Sequence, residues 1–192
     1  AHHDHDHSPG YSYRQIETLI ANAPLPPLVR ERAQSAFLAV GEAEAKVHGC
    51  DLDTVHFHEV GAVDSVIDIV GAAWGLWKLG IDEIQSAPPP MGRGFVRCAH
   101  GRMPLPAPAT LEILRGVPIT PASIKRELVT PTGAAYIKAW CSAVGELPEM
   151  QIEGIGWGAG DADFEDRPNL LRLILGQRGS AKADCLVIES NV

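Results

Sequence analysis

Two histidines, a glutamate and two aspartates fall within the fourteen residues from Val55 to Asp68, all set among apolar neighbours. Imidazole and carboxylate together suit nickel, zinc, iron or manganese, and the lack of thiolate disfavours copper(I). Val55-His56-Phe57-His58 alternates in polarity, so as a strand it points His56 and His58 to one face. Gly61 lets the backbone turn. From Asp64 the pattern is helical, and Asp64 and Asp68 stand four apart on one helix face. Asp64 also reads as an N-cap. Asp68 lies between Ile67 and Ile69 in a helix that is apolar nearly all round, and a buried carboxylate there requires a partner or a metal. Glu59 can pair or cap nearby. The spacing is not HExxH, and neither a serine triad nor a nucleophile elbow is present in the sequence. The candidate centre is thus His56, His58, Glu59, Asp64 and Asp68, holding a metal or activating water on it.

Other stretches carry weaker chemical signals. Ala1 to Gly10 reads AHHDHDHSPG, with His2, His3, His5 and His7 interleaved with Asp4 and Asp6. Such a tract cannot build a core but captures divalent nickel, copper or zinc loosely. His48 ends a long helix, where the negative pole alone accounts for a histidine. Gly92-Arg93-Gly94 follows three prolines and offers Arg93 to an anion. His100 sits in a rigid, proline-flanked loop. Thr130-Pro131-Thr132-Gly133 reads as a helix start, with Thr130 the cap, Pro131 the first helical residue, and amides left for an anion. Alternating glycines from Gly154 to Gly160 do not match a dinucleotide fingerprint, and the acids after them would repel phosphate. They read instead as a strand with small residues on one face.

The elements that must position these groups follow from periodicity. Helices are expected over 13–22, 28–47, 64–79, 109–115 and 131–143, and strands over 81–87, 95–98, 169–175 and 185–188, with an exposed connection at 176–180. Helices dominate the first half and mixed strands and helices the second, so the fold class is α+β. The chain has 192 residues, 45% hydrophobic, enough for one sizeable core. Its formal net charge of -8 argues against nucleic-acid binding and against an anionic membrane surface. The longest apolar run is interrupted and too short to span a bilayer. Cys50, Cys98, Cys141 and Cys185 lie far apart with no CxxC, which points to reduced thiols and a cytoplasmic location. The chain begins without methionine and ends in a strand-like run, and it reads as a piece of a longer protein.

Several motifs occur together in one order. They are AEAKVHG (43–49), VHFHEVGAVDSVIDIVG (55–71), HG with PLPAPAT (100–110), ELVTPTGAA (127–135) and GWGAGDADFEDRPNLLR (156–172). In these the chain resembles the nickel insertion proteins of lactate racemase cofactor synthesis (the LarC family), from the histidine tract to Gly176. The resemblance implies nickel insertion into pyridinium-3,5-bisthiocarboxylic acid mononucleotide by a cyclometallase of the lyase class. It also implies CTP with manganese or magnesium, held in a region beyond this chain. On that reading 1–10 is the metal-binding tract, 11–176 the main domain, and 177–192 a connection into a further C-terminal region. Partners would be the pyridinium mononucleotide and the remaining portions of the full chain, with a homo-oligomer allowed. Forming a nickel–carbon bond requires loss of a ring proton, so a base must be in reach. His56, His58, Glu59, Asp68 and His100 are the candidate catalytic groups. Two alternatives are a nickel-storage module without catalysis of its own and a metal-dependent hydrolase.

Overall fold

The structure is a computed structural model that describes residues 11–57, 63–98, 101–164, 168–178 and 184–190. His2, His3, His5, His7, His58, Glu59 and His100 lie outside the described residues. The α+β class expected from the sequence is the class observed, with a cluster of helices packed beside a mixed sheet.

Helix α1 (Tyr13–Asn22) starts at a capping box in which the Ser12 hydroxyl accepts from the Gln15 amide and the Gln15 side chain accepts from the Ser12 amide. Helix α2 (Pro27–His48) begins with proline at its first position and ends at Gly49, whose φ of 64° is the left-handed conformation that favours glycine. Its buried residues Val29, Ala33, Ala36, Phe37 and Val40 recur at helical spacing, and α1, α3, α4 and α5 all pack on it. Helix α3 (Val63–Lys78) leads to strand β1 (Glu83–Ser86). Short strands β2 (Pro90–Met91), β3 (Gly94–Cys98) and β4 (Gly101–Leu105) follow, then helix α4 (Pro108–Ile113), strand β5 (Thr120–Pro121) and helix α5 (Pro131–Trp140). Strands β6 (Ala143–Val144), β7 (Gln151–Ala159), β8 (Leu170–Gln177) and β9 (Asp184–Ser190) come next.

The main sheet has the order β6-β1-β9-β8-β7. Strand β1 runs parallel to both β6 and β9, whereas β8 is antiparallel to β9 and β7. Two small ladders stand apart from it, β2 with β5 in parallel and β3 with β4 in antiparallel. The larger apolar core lies among the helices around Phe37, Ile16, Val40 and Ile69. A second joins Leu76, Ile81, Ile84 and Leu186 between helices and sheet. Trp140 packs against both, and its indole N–H donates to the Arg32 carbonyl at 2.9 Å. No helix of the described residues is long and apolar enough to cross a membrane.

Five expectations are corrected. Val55 to Phe57 is not a strand of a sheet. It is an extended segment with one isolated bridge, Ser12 to His56, because its partner is only the lead-in to α1. The alternation itself holds, with Val55 and Phe57 buried and His56 exposed. Helix α3 is not buried all round. Ile69, Ala73 and Leu76 are buried, but Val63, Ile67, Trp74 and Trp77 are exposed. Asp68 is exposed on this helix, so it does not face the desolvation cost assigned to it. Asp64 is the second residue of α3 rather than its cap, where its charge still favours the helix dipole. Gly176 and Gln177 belong to β8 rather than to a connection. Strand β7 does carry the alternating glycines.

Backbone proximity sets one sharp requirement. A Cβ at Gly92 would stand 1.8 Å from the Arg126 carbonyl oxygen, whereas one at Gly145 meets nothing within 4 Å. Gly92→Ala should cost about 2–3 kcal/mol of stability through forced backbone displacement. Gly145→Ala should leave stability within about 0.5 kcal/mol of the parent. Urea unfolding of both variants measures the difference.

Candidate functional site

A cavity of about 460 Å³ lies between α3, α5 and the sheet. It opens at the C-terminal ends of the parallel strands β1 and β9, where Ser86 and Ile188 are register partners. Ends of parallel strands are favoured ligand positions because the helices leave a crevice there. The apolar surface comes from Leu128, Val129 and Ile137 on one side and from Leu171 and Ile188 of the sheet on the other. The polar groups are Asp68, Ser86, Thr130, Thr132 and Tyr136.

Four of the residues singled out in the sequence therefore come together: Asp68, Thr130, Thr132 and Gly133. Thr130 caps α5, its hydroxyl accepting from the Gly133 amide at 3.2 Å. Pro131 has no N–H to offer, and the Gly133 amide is engaged by the cap. The Thr132 amide and hydroxyl are then what the helix start presents to a ligand, aided by the positive pole of α5. Asp68 reaches the cavity from α3, one helix away.

Tyr136 was not among the candidates. It stands one turn beyond Thr132 and three residues beyond Gly133, so helical spacing from the cap was the signal that could have found it. Its ring stacks on Trp140 at 4.4 Å between centroids and 12° between planes. Burial, and next the nearby Asp68 carboxylate, raise its phenol above the usual tyrosine range. It is therefore a proton-bearing hydrogen-bond donor at neutral pH. Ser86 is buried, and its hydroxyl donates to the Ala87 carbonyl at 2.8 Å.

The remaining candidates lie elsewhere. His56 is exposed in a shallow depression with Ser12, Thr18 and the Arg14–Asp53 ion pair at 2.9 Å. Asp64 is exposed on α3 and does not line the cavity. Arg93 is exposed, its Nε donating to the Ser123 carbonyl at 3.1 Å, away from the cavity. His48 closes α2 and pairs with Glu44 at 3.3 Å. Among the described residues no group of three or more His, Cys, Asp or Glu is placed to hold a metal ion. The Cys141 thiol is pushed up to about 12 by burial, so it is not a nucleophile at neutral pH.

The family model described as "Nickel insertion protein" matches residues 1–192. The chain belongs to that family. It is 46% identical over 185 residues to a Desulfitobacterium hafniense protein named as a pyridinium-3,5-bisthiocarboxylic acid mononucleotide nickel insertion protein, covering 92% of this chain and 46% of that one. It is 48% identical over 192 residues to a Geobacter sulfurreducens protein named provisionally as a nickel insertion protein, covering 99% of this chain and 50% of that one. The chain thus spans about half the length of the curated relatives it matches. No solved structure gives a significant match.

Two measurements test the local chemistry. Thr130→Ala should lose about 1 kcal/mol of stability while Thr130→Ser keeps most of it, read by chemical denaturation. Tyr136 has its folded pKa raised above an unfolded value of 10.0, so its contribution is complete below that pH and is lost as pH rises beyond it. Unfolding at pH 9 and pH 11 should show a smaller alkaline loss in Tyr136→Phe than in the parent.

Proposed function

We propose that this chain supplies the substrate-binding half of a nickel-inserting enzyme, a cyclometallase of the lyase class working in the cytoplasm. Its substrates on this reading are a nickel ion and pyridinium-3,5-bisthiocarboxylic acid mononucleotide. The observation that carries the proposal is the convergence of an α5 helix start, an apolar slot and the Asp68–Tyr136 pair in one cavity. Family membership and the name of the Desulfitobacterium relative support the choice of substrate.

The roles follow from the chemistry of each wall. The phosphate of the mononucleotide sits at the start of α5, taking the Thr132 amide and hydroxyl. The flat ring lies in the slot between Ile137 and Leu171, where apolar side chains displace water from both its faces. Tyr136, held protonated, donates a hydrogen bond to one of the two anionic thiocarboxylates. Insertion replaces a ring C–H by a carbon–nickel bond, and the proton leaves to a base. Asp68 is the carboxylate of the cavity and takes that proton. Nickel is substrate here, collected from dilute solution by the His2, His3, His5 and His7 tract and by the net charge of -8. His56, with His58, Glu59 and His100, is assigned to nickel transfer. CTP and its manganese or magnesium ion are assigned, on this reading, to a region beyond this chain. No step is derived through them.

Titration of nicotinate mononucleotide, a pyridinium carboxylate with the same phosphate arm, tests the cavity. Thr132→Ala and Tyr136→Phe should each weaken binding about five- to twentyfold. Unchanged affinity in both would sink the assignment of this cavity. Nickel titration should retain one tight equivalent after deletion of residues 1–8 and lose it in His56→Ala/His58→Ala. If the deletion removes all binding and the double variant keeps it, the chain stores nickel through its tract alone.

A further inference from the structure

A surface helix usually turns charged and polar side chains to solvent. Helix α3 does not. Opposite its buried face of Ile69, Ala73 and Leu76 runs a stripe of Val63, Asp64, Ile67, Gly71, Trp74 and Lys78. Val63 is 58% exposed, Ile67 64% and Trp74 42%. A Cβ at Gly71 would meet nothing within 4 Å, so no side chain stands over the middle of the stripe. Contiguous apolar exposure of this kind marks a contact surface.

We propose that this stripe is a homodimer interface, in which α3 of a second copy packs antiparallel across a two-fold axis at Gly71. The sequence of the stripe is self-complementary about that residue. Asp64 stands seven positions before Gly71 and Lys78 seven after it. An antiparallel two-fold therefore sets each Asp64 against the Lys78 of the other copy, twice over. Ile67, four positions before, meets Trp74, three after. Gly71 faces Gly71, and the missing side chains let the two helix axes approach closely. Asp64 and Lys78, the charged members of the stripe, are both paired in this arrangement. A parallel arrangement would oppose Asp64 to Asp64 and Lys78 to Lys78, a direct repulsion. A two-fold contact uses one patch twice, which is what self-complementarity about a single residue provides.

Sedimentation equilibrium of the purified chain from about 10 μM to about 1 mM reads the association. Dimer formation is expected. Asp64→Lys and Lys78→Asp should each weaken it about tenfold or more, and Asp64→Lys/Lys78→Asp should restore it. Both positions are exposed, so the variants should keep the parent's circular dichroism. Gly71→Cys, in a Cys50→Ser background that removes an exposed native thiol, should form a 71–71 disulfide between copies under mild oxidation. A monomer throughout the range overturns the proposal and leaves the stripe to another segment or another protein. So does a dimer that survives both single charge reversals, or one that never yields the 71–71 link.

Discussion

The fold depends on the burial of α2. One face of this helix must disappear from water, and four other helices are arranged to do it. The residues on that face are mostly small: Ala33, Ala36 and Ala43 surround the one large ring of Phe37. Alanines bring the neighbouring helices close to the α2 axis, and Phe37 fills the space that remains, meeting Phe57 at 6.4 Å between ring centroids. Gly41 carries the same logic further, since a Cβ there would come within 2.7 Å of Leu52 and 2.9 Å of Tyr13. The extended segment bearing His56 is held by this packing, with Val55 and Phe57 buried as its anchors.

The link from helices to sheet runs through the C-terminal turn of α5. Trp140 fastens to α2 through its indole N–H, and an Arg32 guanidinium N–H of α2 in turn donates to the Ile81 carbonyl at 2.7 Å, just ahead of β1. The next turn of chain places the Ser142 amide on the Ile84 carbonyl at 2.8 Å and starts β6 beside β1. The far end of α5, with Thr130 and Thr132, is thereby held over the ends of β1 and β9. A cavity forms because α5 is tied to the sheet at one end while its start stands off from it. Tyr136, stacked on the same Trp140, occupies the wall between the two ends.

Local signals in the sequence foretold local structure well. His48 at the end of α2 and Thr130 with Pro131 at the start of α5 mark helix boundaries through backbone chemistry that needs no tertiary partner, whereas the Ser12–Gln15 capping box of α1 and Pro27 at the first position of α2 were not read as helix starts. The strand character of Gly154 to Gly158 was legible for a similar reason. The sheet order was not, because pairing of β1 with β9 joins residues about a hundred apart and leaves no periodic trace. The hydrophobicity of α3 was read as burial on every side. Composition records that a face needs cover but not what supplies it, so Asp68 was weighed as a core carboxylate when it stands at the rim of a cavity. The cavity drew Asp68 and Thr130 together from elements sixty residues apart, and Tyr136 escaped notice because an aromatic on a helix is ordinary core until its neighbours are known.

The place of β9 carries a consequence for how the molecule is made. During synthesis the whole helical cluster, from Tyr13 through Ala135, emerges before β9 exists. Its contacts are mostly within reach of one another, so it can collapse while the ribosome is still at work. Strand β1 has to wait with one edge unpaired until residues 184–190 arrive to slot between it and β8. Insertion of a late central strand into a gap is a slow, non-local step. A waiting edge is also the surface on which nascent chains stick to one another. The short run of Ala143–Val144, in place before β9, pairs with Gln85 and Ser86 on the opposite edge of β1 and so covers part of that edge during the interval.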